Sequence, residues 1–336
     1  MEFNTFNYKI NEELQSSRNN SPLNKEIYSD NSISGNNEFL FFIKPEITID
    51  DPGIDLNGIL NLIFDKISEF KLAIKNIRVI NAPYLKKHNI IAQHYGVINQ
   101  LSDNLKDNIS EEATNRFEEV YNIKFSEAEI LGSLEFIKAY PEFTATGLSY
   151  LWQNSPTEKL AGGTYSQKLT IDGKDVYLVN GFHPRQLEHF IADKRSIITM
   201  TLVGNTSWKD ARNAFIGKTN PIDAQEGSIR NELLKNKDKF GLKEISSTWN
   251  GVHLSAGPIE GLIELMRYNS DFETGKINSE KDYIFGAELA KKLDASTLEN
   301  VLNNKTVVYN KKNISYFDLT EEMDSDRCIE IIEEVK

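Results

Sequence analysis

The chain has one cysteine, Cys328, among its 336 residues. That excludes an internal disulfide and leaves no cysteine metal site to look for. Long apolar runs are absent as well: none approaches the ~20 residues that a membrane-spanning helix needs. The first residues, "MEFNTFNYKINEELQSSRNN", hold no apolar core of the kind a secretory leader carries. A cytoplasmic protein with no membrane partner is therefore expected. Basic charge is scarce: 38 Lys and Arg against 50 Asp and Glu give a formal charge of −12. A nucleic-acid binder normally shows a basic face, so nucleic acid is not an expected partner. Nucleotides stay open, because a few local cations can hold a phosphate chain on an acidic protein. The length suits one large domain or two ordinary ones, with a sizeable core.

Periodicity organises what remains. Residues 1–37 are rich in Asn and Ser and are expected to be a mobile extension. "EFLFFIKPE" (38–46) reads as a buried strand stopped by Pro45. Leu56, Ile59, Leu60, Ile63 and Ile67 recur at helical spacing behind Asp55, a candidate cap. "KLAIKNIRVI" alternates as a strand does, and 82–101 reads as helical. Helices are expected at "SEEATNRFEEVYNI" and "SEAEILGSLEFIKAY", then a hairpin around Asp172-Gly173. "RSIITMTLVG" reads as a strand, and "SWKDARNAFIG" as a helix capped by Ser207. Gly257 and Pro258 mark the start of another helix, whose apolar face is Ile259, Leu262, Ile263 and Met266. Strands separated by helices point to an α+β sandwich.

Five short motifs occur in order: "FFIKP", "HY", "IGKTNP", "GSIR" and "NGVH", with Glu264 eleven residues beyond His253. In that order they resemble the motifs of the nucleoside diphosphate kinase family, over roughly 38–95 and 184–268. The resemblance implies a ferredoxin-like antiparallel sheet with helices, interrupted by an inserted α/β lid at 96–183 and followed by a C-terminal extension at 269–336. It also implies a phosphotransferase that moves the γ-phosphate of a nucleoside triphosphate through a phosphohistidine to a nucleoside diphosphate. The chemistry suits these residue types. A neutral imidazole is nucleophilic near neutral pH, and phosphohistidine splits the transfer into two steps.

By the same resemblance His253 is the nucleophile and Glu264 orients its ring. Lys44 and Arg230 contact phosphates, Thr219 donates a hydroxyl and Asn250 binds the sugar. Tyr95 supports the lysine and histidine, and His94 is dispensable. Mg²⁺ is expected on the nucleotide phosphates, not in a protein cage. A homo-oligomer is implied, with the insert and extensions placed to alter its contacts.

The chain departs from the pattern in several places. The position of a second phosphate arginine holds Asn213, with Arg212 one residue early, a turn of ~100° on a helix. After the histidine stands Leu254-Ser255-Ala256-Gly257, where the family has Gly-Ser-Asp-Ser. Phe190 is the nearest candidate for a base-stacking aromatic. Two alternatives stand beside the leading reading: a kinase of the same chemistry with another acceptor, or a nucleotide-binding or interaction protein with little turnover.

Overall fold

The computed structural model describes residues 3–335. The chain divides into two compact units. One holds the described residues up to His88 and from Asp193 onward, and the other is Asn89–Ala192.

The first unit is built on five strands: β1 (Asn24–Ser29), β2 (Asn37–Ile43), β3 (Ala73–Asn81), β4 (Ser196–Gly204) and β5 (Val252–Leu254). Their order is β1-β3-β4-β2-β5, and every neighbouring pair is antiparallel. Without β1, the order β3-β4-β2-β5 and the helix between β2 and β3 match a ferredoxin-like βαββαβ sheet. Helix α1 (Phe3–Ser16) and helix α2 (Leu56–Glu69) cover one face. Asp55 caps α2 by accepting from the Gly58 N–H at 2.9 Å, a contact of about 1 kcal/mol.

The period of two in β2 divides the layers. Phe39, Phe41 and Ile43 enter the core with α1 and α2. Phe42 faces the other way, against Tyr268 of helix α4 (Pro258–Asn269), ring centroids 5.6 Å apart. A short helix, α3 (Ile229–Lys235), precedes β5. Because β2 is covered on both faces, its residues 39–43 read as an unbroken apolar run, and all seven of its residues, Asn37 and Glu38 included, are buried.

The N-terminal stretch differs from expectation. It supplies α1, whose Phe6, Ile10 and Leu14 lie in the core, and β1, which pairs with β3 along the sheet edge. The stretch 82–101 is three short helices, Ala82–Lys87, Ile90–His94 and Gly96–Asp103. The C-terminal residues return to the unit: the Trp208 N–H donates to Asp324 at 2.8 Å, and the Glu322 N–H to the Ala256 carbonyl at 3.0 Å. Gly257 is needed at that crossing, because a Cβ there would lie 2.8 Å from the Thr320 carbonyl oxygen.

The second unit is wider than the expected insert of 96–183. Its sheet runs Ile130–Gly132, Lys174–Val179, Thr164–Ile171, Glu158–Ala161, with only the first pair parallel. Tyr177 and Val179 pack with Leu101 and Phe117, while Val176 and Leu178 pack with Phe136 and Leu148. The sheet therefore carries an apolar cluster on each face. The hairpin turns at Asp172-Gly173, both at positive φ, as the sequence predicts. Ile130–Gly132 is a strand where a helix is expected.

Candidate active site

β5 has only three residues, but its pairing with β2 places them. Val252 and Leu254 enter the core, and His253 turns to the α4 face opposite Phe42. The imidazole stacks on the Phe42 ring, centroids 4.4 Å apart and 19° between planes. Helix α4 starts at Pro258 after the Gly257 turn, which brings Glu264 back over the strand end. His253 Nε2 lies 3.1 Å from Glu264 Oε2, and the Ser255 hydroxyl donates to the same oxygen at 2.5 Å. Ser255 is fully buried and Glu264 nearly so, whereas the His253 side chain keeps 17 % exposure. Where Nε2 donates to the Glu264 carboxylate, Nδ1 carries the lone pair of the neutral ring.

A second cluster forms where β2 ends. The Lys44 ammonium donates to Asn250 Oδ1 at 2.7 Å, and Asn250 Nδ2 donates to the Thr219 carbonyl at 3.0 Å. Lys44, Asn250 and Arg230 are all buried. Gly251 makes the turn between Asn250 and Val252 at φ +78. A Cβ there would meet Ile47 and Leu233 at 2.8 Å each, so the turn requires glycine in both conformation and space. The Gly251 N–H donates to Glu46 at 2.9 Å. Arg230, in the first turn of α3, donates to the Gly217 carbonyl at 2.8 Å and the Val252 carbonyl at 2.9 Å. Burial pushes the Lys44 ammonium down to about 8; the Glu46 carboxylate works against this and the Arg230 charge with it.

Other expected residues stand differently. Thr219 is exposed and joins the cluster through its carbonyl, not its hydroxyl. Arg212 lies in a π-helical turn, Ala211–Phe215; it donates to the Leu254 carbonyl at 2.9 Å and stands 3.9 Å from Glu321. Asn213 donates to the Lys209 carbonyl at 2.9 Å and to Glu322 at 3.4 Å. Tyr95 and Phe190 belong to the second unit, where their ring centroids are 6.4 Å apart. His94 lies there too, edge-on to Tyr95 at 4.8 Å. Phe190 is buried.

Three contributors escaped the sequence reading. Phe42 sits on the same strand face as Lys44, two residues on, and its parity within "FFIKP" was the available sign. Ser255 stands where the family pattern also has a serine, and the sequence assigns it no role. Glu260 reads as a solvated helix position, but it is half-buried beside Glu264 and accepts from the Ala256 N–H at 3.3 Å. Burial first, then the Glu264 charge, push its carboxyl up to about 8, opposed by Arg212.

No family model and no curated protein matches the chain. Among solved structures it is similar to the nucleoside diphosphate kinase of Encephalitozoon cuniculi, at 14% identity over 72% of this chain and 94% of that one, with a TM-score of 0.34. It is similar to an NDP kinase from Pyrobaculum aerophilum at 15% identity, over 72% and 99%, with a TM-score of 0.33. A nucleoside diphosphate kinase family protein from Babesia bovis has 14% identity, over 75% and 99%, with a TM-score of 0.33. No described helix is long and apolar enough to cross a membrane.

Proposed function

We propose that the chain is a nucleotide phosphotransferase working through a phosphohistidine on His253. The observation that carries this reading is the fixed ring: stacked on Phe42, held at Nε2 by a buried carboxylate that Ser255 also holds, and partly exposed. Such a ring is oriented before any substrate arrives, and orientation supplies much of the catalysis in phosphoryl transfer. Nδ1 attacks the γ-phosphorus of the nucleoside triphosphate. An N–P bond forms, the bond to the β–γ bridging oxygen breaks, and the diphosphate leaves with that oxygen. A terminal oxygen of an acceptor diphosphate then attacks the phosphorus, and the N–P bond breaks. Lys44 and Arg230 supply positive charge for the phosphates, and Asn250 holds Lys44 in place. Mg²⁺ would arrive with the triphosphate as part of the substrate. Glu46 and Glu264 are already engaged with Gly251 and Ser255, which suits positioning more than a metal cage.

The test is incubation of the purified chain with γ-labelled ATP and Mg²⁺. Acid-labile label on the wild type, absent from His253→Ala with an unchanged melting temperature, is expected. Label that persists in His253→Ala refutes the assignment.

One observation favours the binding-only reading. Arg212 is committed to the Leu254 carbonyl and stands near Glu321, and Asn213 contacts Glu322. Saturable nucleotide binding without any label would establish that alternative.

A further inference from the structure

The α4 face of the sheet carries a second polar feature, away from His253. Cross-strand register lays out one row of side chains: His253 opposite Phe42, Phe42 opposite Thr199, Thr199 opposite Arg78, and Arg78 opposite Glu26. The row is aromatic at one end and polar at the other. Beside Arg78 and Glu26 lies a cavity of about 380 Å³, walled also by Asn76, Asn269 and the segment Lys276–Tyr283. A single water occupies ~30 Å³, and small-molecule pockets begin near ~300 Å³. The space therefore suits a small ligand better than one bridging water.

We propose that this cavity is a binding site for a small, neutral, polyhydroxylated ligand such as a monosaccharide or cyclitol. Charge selects the class. The wall holds three cations, Lys75, Arg78 and Lys276, and two carboxylates, Glu26 and Asp282. Lys75 is further neutralised by Glu38 at 2.9 Å, and Arg78 by Glu26 at 3.0 Å. A phosphate would meet Glu26 and Asp282, and an amine would meet the cations. A hydroxyl both donates and accepts, so a polyol can satisfy alternating partners without carrying charge.

The wall also contains acceptors in need of donors. The amide oxygens of Asn76 and Asn269 are buried and accept no hydrogen bond among the described residues. Their orientations are set from the amine side. Asn76 Nδ2 donates to Glu26 at 2.7 Å, and Asn269 Nδ2 donates to the Thr201 hydroxyl at 3.0 Å. Both oxygens are closed to solvent, so a ligand hydroxyl meets one only where its side chain rotates toward the cavity, which would relieve a desolvation cost.

The covering segment is anchored without the ligand. The Tyr84 hydroxyl donates to the Ser270 carbonyl at 3.0 Å, the Asp271 N–H to the Lys276 carbonyl at 2.8 Å, and the Tyr283 hydroxyl to the Leu265 carbonyl at 2.9 Å. A preformed wall lowers the ordering cost of binding.

The experiment is ligand-detected NMR and calorimetry on the full chain. The probes are a panel of pentoses, hexoses and myo-inositol at millimolar concentration, with inorganic phosphate and glycine as controls. Saturable binding of at least one neutral polyol is expected, not displaced by phosphate. Ser29→Tyr fills the exposed rim without touching the Arg78–Glu26 pair and should abolish binding at an unchanged melting temperature. Asn269→Ala should weaken binding about tenfold, the effect of ~1.4 kcal/mol. His253→Ala should bind as the wild type does, which separates this site from the phosphotransfer reading. No saturable polyol binding, binding of phosphate or glycine only, or polyol binding untouched by Ser29→Tyr would each overturn the proposal.

Discussion

Replacing Lys44 by methionine should separate stability from chemistry. Lys44 is 8 % exposed, and the one hydrogen-bond partner of its ammonium among the described residues is the neutral Asn250. Burial lowers it from 10.5 to about 8, equivalent to a cost of about 3 kcal/mol at neutral pH. Methionine keeps most of the stem and removes the charge. It also leaves Asn250 Oδ1 without its donor, a loss of ~1–3 kcal/mol. The variant should therefore be between about zero and 2 kcal/mol more stable, raising the melting temperature by up to ~4 °C.

The sign with pH follows from the same shift. Below about 8 both states of the wild type carry the proton, and the full cost is present. As pH rises from 8 toward 10.5 the folded lysine is neutral while the unfolded one still binds a proton, so wild-type stability gains on the variant. Phosphoenzyme formation should meanwhile fall ~10²–10³-fold, as for loss of a fixed phosphate donor. Thermal and urea unfolding across this pH range, with labelling at neutral pH, make the assay. A variant destabilised by more than ~1 kcal/mol at neutral pH would show that the buried cation stabilises the fold, and would refute the reasoning.

Further outcomes follow from neighbouring residues. Glu260 has its folded carboxyl raised from 4.5 to about 8, so wild-type stability declines as pH rises between those values. Glu260→Gln mimics the protonated acid, and urea titrations should show it gaining on the wild type through that window, by ~1–2 kcal/mol after solvent screening. Ser255→Ala removes the hydroxyl donor from the Glu264 carboxylate. Labelling should fall by about tenfold, one lost hydrogen bond; an absent effect tells against the positioning role. Gly257→Ala places a Cβ against the Thr320 carbonyl, at a cost of ~1–3 kcal/mol. Hydrogen exchange over 316–334 should quicken, and unchanged exchange would show that the crossing adapts.

The parts of this protein legible in its sequence are those decided within a few residues. Asp55 and Ser207 each accept from a backbone N–H of the helix that follows, because a cap is a contact between near neighbours. The Asp172-Gly173 hairpin and the Gly257-Pro258 helix start are equally local. Lys44 at the end of a buried strand, and His253 three residues after Asn250, were readable as spacing; their roles rested on the order of motifs. Helix α1 was not readable. Phe6, Ile10 and Leu14 make a stripe of three apolar residues among polar ones, too thin to mark a helix until the sheet buries it. Ile130–Gly132 is a strand only because Lys174–Val179, far along the chain, offers it a partner. The site followed the same division. Its residue types stand in the sequence, but tertiary contact alone decided that Ser255 and His253 would share one oxygen of Glu264, that Arg212 would turn to the Leu254 carbonyl, and that Glu260 would be half-buried. Those outcomes depend on burial and on atoms brought together from distant segments, and a linear pattern specifies neither.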